Sequence, residues 1–413
     1  MQVSINSSSG CETIHHRLNC GANIYIIPKN REVSVGAVVV NYGSADTEFS
    51  YKGKKYSFPL GTAHFAEHQM FEQPYGNVSE DYKNLGAEVN AFTDAGKTVY
   101  YFSTVNDFGR CFSTLLEFVE TPYFKGKSIE NEKSIIKSEI DMYNDDPAWK
   151  TFFGALKQLW PDSAFSEEIA GSVKSISDID ADTLYLLHEA FYLPENMTII
   201  CAGDIKADDI MLEAEKILSG ADRISPEIRK LSQKPKGGYS EITMDIDVPR
   251  YTVIYPFFTE CTGKDRFRQI LMLRIAGDMF FGAGSELFEK LSDDGVIDSA
   301  PSTEVYEHNG TGYFAISGST SNAEKTVESI KQTMENLFRG KADKKDFERY
   351  LKKFKGQFIS SLDDSMTAVT IQAEYNDILL SEIADCLDSL CYNSFINSLK
   401  SIENCVGVCV AGR

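Results

Sequence analysis

The chain has 413 residues, too many for one ordinary hydrophobic core, so two or more domains are expected. Hydrophobic residues make up 42% and charged residues 25%, the balance of a globular protein, and no run approaches the roughly 18 apolar residues that a membrane helix needs. A formal charge of −20 disfavours nucleic acid as a partner.

Nine cysteines are scattered without a C-x-x-C, which reads as reduced thiols in a cytoplasmic protein. The first residues are polar, with neither the basic cap nor the apolar core of a secretory signal.

Taken in order, the adjacent His15 and His16 would point to opposite faces of a strand and read as surface residues. Strands are expected over 23–28 and, rich in β-branched residues, over 33–42. Residues 43–60 read as a loop. The stretch Pro59-Leu-Gly-Thr-Ala-His-Phe-Ala-Glu-His-Gln-Met-Phe71 then opens a helix near Gly61. Within it His64, Glu67 and His68 form H-x-x-E-H, three residues on one helical face. Two imidazoles four apart can grip one metal ion, and a carboxylate between them can reach a bound water.

A helix over 79–85, ended by Gly86, precedes two β-rich halves within 88–103, joined by a turn at Asp94-Ala-Gly96. A helix over 107–120, with Asp107 as its cap, is broken by Pro122. Residues 128–143 form a long amphipathic helix with Ser128 as cap. It carries Glu132 and Glu139, two turns apart on one face. Glu139 is the candidate third ligand; of the two, one can ligate and the other orient a ligand or hold the charge of the site. Helices over 149–160, 178–191 and 207–218 and a strand over 195–204 follow.

Residues 220–240, with Pro226, Pro235 and Gly237-Gly238, read as a linker between domains at 1–219 and 241–413. The second half repeats the order: a strand over 250–258, helix over 266–291, strand over 312–317, and helices over 323–338 and 344–362. Glu195-Asn-Met-Thr-Ile-Ile-Cys-Ala-Gly203 is matched by Glu403-Asn-Cys-Val-Gly-Val-Cys-Val-Ala-Gly412, and Tyr123-Phe-Lys-Gly-Lys127 by Leu337-Phe-Arg-Gly-Lys341. The second copy has no H-x-x-E-H, and Lys353 stands opposite Glu139. The mixed charges over 339–355 read as a solvated helix face.

The combination of Pro59-x-Gly-Thr-Ala-His-Phe-x-Glu-His with Phe71, Gly86-x-x-x-Asn-Ala-Phe-Thr, Thr98-x-Tyr and Glu132-x6-Glu139 resembles the pitrilysin/insulinase (inverzincin) metallopeptidases. It is most similar to the half-length branch that includes mitochondrial processing peptidase and bacterial relatives. The resemblance covers about residues 15–220, and the second half in architecture. It implies an α+β fold of two homologous domains, each a mostly antiparallel sheet packed with helices, a half clamshell.

It further implies one zinc per chain on His64, His68 and Glu139, with Glu67 as general base and Glu132 as a second acid beside the ligands. Asn90, Ala91, Phe92, Thr93 and Tyr100 would border a peptide bound as an added edge strand. The implied activity is endoproteolysis of peptides or unfolded segments, leader peptides among them. Three departures stand out. Ala66 and Gln69 replace larger or apolar residues. The arginine and tyrosine that self-sufficient members carry in the second domain are replaced by Ser292 and Asp298. The resemblance therefore implies a heterodimer in which a homologous, zinc-less half-length subunit supplies Arg and Tyr. The alternative is a homodimer in which Tyr306 or Arg349 substitutes. A non-catalytic structural or peptide-binding subunit is the reading from another class.

Overall fold

Every residue of the run Ser34–Val40 is buried, as expected of a strand covered on both faces. A computed structural model, which describes residues 2–5, 12–218, 225–229 and 234–413, places this run inside the first of two large sheets. That sheet is built from β1 (Gln2–Ile5), β2 (Glu12–Arg17), β3 (Asn23–Pro28), β4 (Ser34–Val40), β5 (Glu88–Thr93), β6 (Thr98–Thr104) and β7 (Met197–Gly203). Its order is β1-β2-β3-β7-β4-β6-β5, antiparallel except for the β3/β7 pair.

The second sheet contains β8 (Gly238–Thr243), β9 (Arg250–Phe258), β10 (Ser302–His308), β11 (Thr311–Ser319) and β12 (Gly407–Gly412). Its order is β8-β12-β9-β11-β10, again with a single parallel pair, β8/β12. Strand for strand this is the arrangement β3-β7-β4-β6-β5. The matched sequences near 195–203 and 403–412 form the equivalent strands β7 and β12, so the internal repeat is a repeat of topology.

The sequence-based expectations need four corrections. The expected loop 43–60 holds a short hairpin, Glu48–Tyr51 with Lys54–Ser57, because Phe49 and Tyr51 alternate into the core. The expected linker 220–240 is only partly a linker. Residues 219–224 and 230–233 lie outside the described residues, but Glu227–Ile228 pairs with Glu48–Tyr51 and β8 begins at Gly238. The single helix expected over 266–291 is two, Gly263–Phe281 and Glu286–Asp293. The first ends at Gly282, and Ser285 caps the second by accepting from the Phe288 amide at 3.1 Å. Strand β10 was not expected, since its run is largely polar; β11 recruits it along its whole length.

The division into units is also not a single cut. One unit comprises Met1–Ile140, Glu168–Arg229 and Ile359–Asp385; the other comprises Asp141–Glu167, Lys230–Phe358 and Cys386–Arg413. Helix Pro147–Leu159 packs on β8, β9 and β12 of the second unit, and helix Ser365–Glu374 packs on β4 and β7 of the first. Glycine permits the former contact. A Cβ at Gly407 of β12 would lie 2.2 Å from the Ala155 carbonyl oxygen of that helix.

Among the described residues, no helix is long and apolar enough to cross a membrane.

Candidate functional site

Helix α1 (Thr62–Met70) buries eight of its nine residues, although His64, Glu67 and Gln69 are among them. It starts at Gly61, whose φ of 91° lies in the left-handed region. A Cβ at Gly61 would stand 2.4 Å from the Ala170 carbonyl oxygen. Gly61→Ala therefore combines a conformational cost of about 1–2 kcal/mol with a backbone clash. The expected result is a lower urea unfolding midpoint; an unchanged one contradicts this account of the helix start.

Burying polar side chains is costly unless they find partners. Glu67 Oε2 accepts from Thr93 Oγ1 at 2.5 Å. Gln69 Nε2 donates to Glu132 Oε2 at 3.3 Å, and Gln69 Oε1 accepts from Ser128 Oγ at 3.1 Å. His68 Nδ1 lies 2.8 Å from Glu132 Oε1. His64 is the exception. Its Nδ1 is buried with no hydrogen-bond partner among the described residues, and its Nε2 is 3.7 Å from Glu139 Oε1. His68 Nε2 stands 3.8 Å from Glu139 Oε2.

Helix α4 (Gly126–Asn144), which follows α2 (Val78–Asn84) and α3 (Phe108–Glu120) in the chain, supplies both glutamates. Seven residues are about two turns, so Glu132 meets His68 and Gln69 while Glu139 faces both imidazoles. The donor atoms of His64, His68 and Glu139 all lie within 4.8 Å of one another. Tetrahedral zinc, with bonds of about 2.0–2.2 Å to such donors, holds them about 3.4 Å apart. The spacing and the nitrogen–oxygen donor set fit that ion.

The neutral state of His64 suits the same use, and the carboxylates around His68 favour its proton. Burial, with His68 beside it, lowers His64 to about 3, so its ring is neutral. Burial also pushes Glu67 up, against the Thr93 hydrogen bond and the charge of His68. Burial lowers His68, but the Glu132 hydrogen bond and the carboxylates of Glu67, Glu132 and Glu139 overcome this, and the net shift is upward.

Because His64 is depressed in the folded state, the unfolded chain binds its proton first on acidification. The contribution of His64 to stability is full above its ordinary 6.5 and is lost as pH falls from there toward about 3. The slope is at most just over ~1 kcal/mol per pH unit. Metal-free His64→Gln should lose stability less steeply than the parent in urea titrations across that window; parallel curves would contradict it.

Among the residues implied to border a peptide, Asn90 and Phe92 are exposed and Ala91 half-buried on β5, a sheet edge that pairs only with β6 among the described strands. Thr93 faces inward and gives its hydroxyl to Glu67. Tyr100 is a correction. It is fully buried, and its hydroxyl lies 2.7 Å from that of Tyr192, so it is a core residue and touches no peptide.

Asp107 precedes its helix with φ 48° and makes no side-chain cap. Ser128 is not a cap either: α4 begins earlier, which frees its hydroxyl for Gln69. His15 and His16 lie on β2, half-buried and away from the cluster, with His15 bonded to Asn23 and stacked on Tyr25. Ser292 and Asp298 are exposed. Tyr306 stacks on Tyr313, and Arg349 pairs with Asp346 at 2.9 Å.

The link through Gln69 was missed from sequence; its one signal was a polar residue at a usually apolar motif position.

Residues 26–185 match the family profile described as Insulinase (Peptidase family M16), and residues 178–354 the one described as Peptidase M16 inactive domain. An uncharacterized zinc protease of Bacillus subtilis (strain 168), YmfH, is 33% identical over 332 residues, covering 77% of either chain. A crystal structure from Alicyclobacillus acidocaldarius, described as an M16-like peptidase, superposes with a TM-score of 0.91 at 26% identity, covering 97% of this chain and 98% of that one. A chain of Complex III2 from Candida albicans shares the fold alone, with a TM-score of 0.77 at 13% identity over 97% of this chain and 95% of that one.

Proposed function

The chain belongs to the insulinase (M16) family of peptidases, and from that membership and the buried cluster we propose that it is a zinc-dependent endopeptidase subunit acting on peptides or unfolded segments. The fold alone does not carry this, since a chain of Complex III2 shares it. The observation that does is the convergence of His64, His68 and Glu139, whose donor atoms all lie within 4.8 Å of one another, with burial holding the His64 imidazole neutral.

His64, His68 and Glu139 would hold the ion. Bound there, zinc supplies Lewis acidity, polarising a peptide carbonyl and making water easier to deprotonate. Glu67 takes the proton from the attacking water and delivers it to the departing amine nitrogen. Thr93 occupies Glu67 Oε2, which leaves Oε1 for that exchange. Glu132 orients His68 through Nδ1. The open edge of β5 takes the substrate as an extended strand by backbone pairing, which selects unfolded segments, leader peptides included.

The exposed Ser292 and Asp298 stand where self-sufficient relatives are expected to carry Arg and Tyr. A homologous half-length subunit supplying both completes the proposal, as a heterodimer; a homodimer using Tyr306 or Arg349 is the alternative. A cytoplasmic setting is part of the same reading, supported by cysteine usage.

Metal analysis should find about one zinc per chain. Chelation should stop hydrolysis of an unfolded peptide and added zinc restore it. Mixing with the homologous subunit should accelerate turnover over the chain alone. A chain without zinc affinity, or cleavage indifferent to chelation, refutes the peptidase reading. Full activity of the isolated chain refutes only the partner.

A further inference from the structure

Glu132 is buried and carries two partners, one per oxygen: His68 Nδ1 at Oε1 and Gln69 Nε2 at Oε2. Gln69 is fully buried and has its own anchor, the Ser128 hydroxyl donating to Oε1. We infer that Gln69 is a positioning residue, whose amide, held by Ser128, orients the Glu132 carboxylate so that His68 keeps its proton on Nδ1 and turns its Nε2 lone pair toward His64 and Glu139.

Three features carry this. First, an ionised carboxylate only accepts hydrogen bonds, so a ring nitrogen 2.8 Å from it must be the protonated one, and the other nitrogen then holds the lone pair. Second, the terminal torsion of a glutamate is soft, and one hydrogen bond does not fix the plane of the carboxylate. The contact from Gln69 fixes it from the opposite oxygen. Third, the same carboxylate takes the Gln69 amide by its nitrogen, and the Ser128 hydroxyl, which can donate, holds the oxygen end in place. A hydroxyl donating to Gln69 Oε1 leaves the nitrogen for Glu132.

Ser128 and Glu132 are four residues apart on α4, one turn along the same face. Gln69 therefore bridges two successive turns of α4 from α1, and it sets the register that brings Glu139, two turns beyond Glu132, opposite the imidazoles. An apolar residue at 69 would fill the same space and hold none of this.

The consequence for metal rests on the peptidase reading; the consequence for His68 does not. The test therefore uses two readouts on the full chain. The first is the 15N signature of the imidazoles in the metal-free protein, at a pH where His68 is neutral; there are only six histidines to resolve. The second is zinc affinity by competition with a chromogenic chelator.

In the parent chain His68 is expected as the Nδ1–H tautomer. Gln69→Met, which keeps the volume and removes both hydrogen bonds, should shift the ring toward a mixture of tautomers and weaken zinc binding by about 10–100-fold. Ser128→Ala should move both in the same direction by less. A Gln69→Met chain with the parental tautomer and affinity overturns the inference. If Gln69→Met does not fold, Ser128→Ala decides, and parental values there overturn it. A parent chain with no zinc affinity refutes the peptidase reading instead, while the tautomer of the metal-free chain still decides the role of Gln69.

Discussion

Glu67→Gln should retain zinc and lose peptide hydrolysis by about 10²–10⁴-fold, the usual contribution of a positioned proton acceptor. Glutamine has the same length and can still accept from Thr93 Oγ1, so the fold and that hydrogen bond survive. What disappears is the ability to take a proton. Zinc should stay because Glu67 is not one of the three converging donors. Burial raises Glu67, so the group is a better base near neutrality than an exposed carboxylate. In the parent enzyme kcat/KM should accordingly fall on acidification at a higher pH than an ordinary glutamate would give. If Glu67→Gln cleaves at the parental rate with zinc bound, the base lies elsewhere.

The second large effect separates the two glutamates of α4. Glu139→Ala removes the carboxylate that faces both Nε2 atoms, at 3.7 and 3.8 Å, and leaves two imidazoles. Its zinc affinity should fall by more than about 100-fold. Glu132→Ala keeps all three donors and removes the partner of His68 Nδ1 and of Gln69 Nε2, with an expected loss of about 10–100-fold. Chelator competition on both variants gives the order directly. A greater loss for Glu132→Ala would reverse the assignment of ligand and orienting residue.

Much of the first sheet was legible because its strands alternate or stay apolar over several residues. Strand β3 spans the expected 23–28, and the β5/β6 hairpin turns at Asp94, whose Oδ1 accepts from the amides of Gly96 and Lys97. Periodicity fails where a neighbour decides. Strand β10 is polar and exists because β11 offers it an edge, and the hairpin at 48–57 exists because Phe49 and Tyr51 find a core. No helix was expected over Ser365–Glu374, while Pro147–Leu159, expected over 149–160, was legible as a local element. Their exchange between units was not, since no local pattern states which sheet a helix will cover. Tyr100 shows the same limit within the site: Thr98-x-Tyr marks a strand residue and does not say which face of the sheet it lies on.

By itself the sequence determined the local part of the site. Spacing of three and four on one helix places His64, Glu67 and His68 about a turn apart on one face, and spacing of seven places Glu132 and Glu139 on one face two turns apart, because a helix is a fixed local geometry. Tertiary structure alone decided the rest. The approach of α1 to α4 gives Glu139 both Nε2 atoms and gives Glu132 the Nδ1 of His68; strand β5 delivers Thr93 to Glu67; burial keeps His64 neutral and raises Glu67. Each of these depends on which distant surfaces exclude water together, and no window of the chain encodes that.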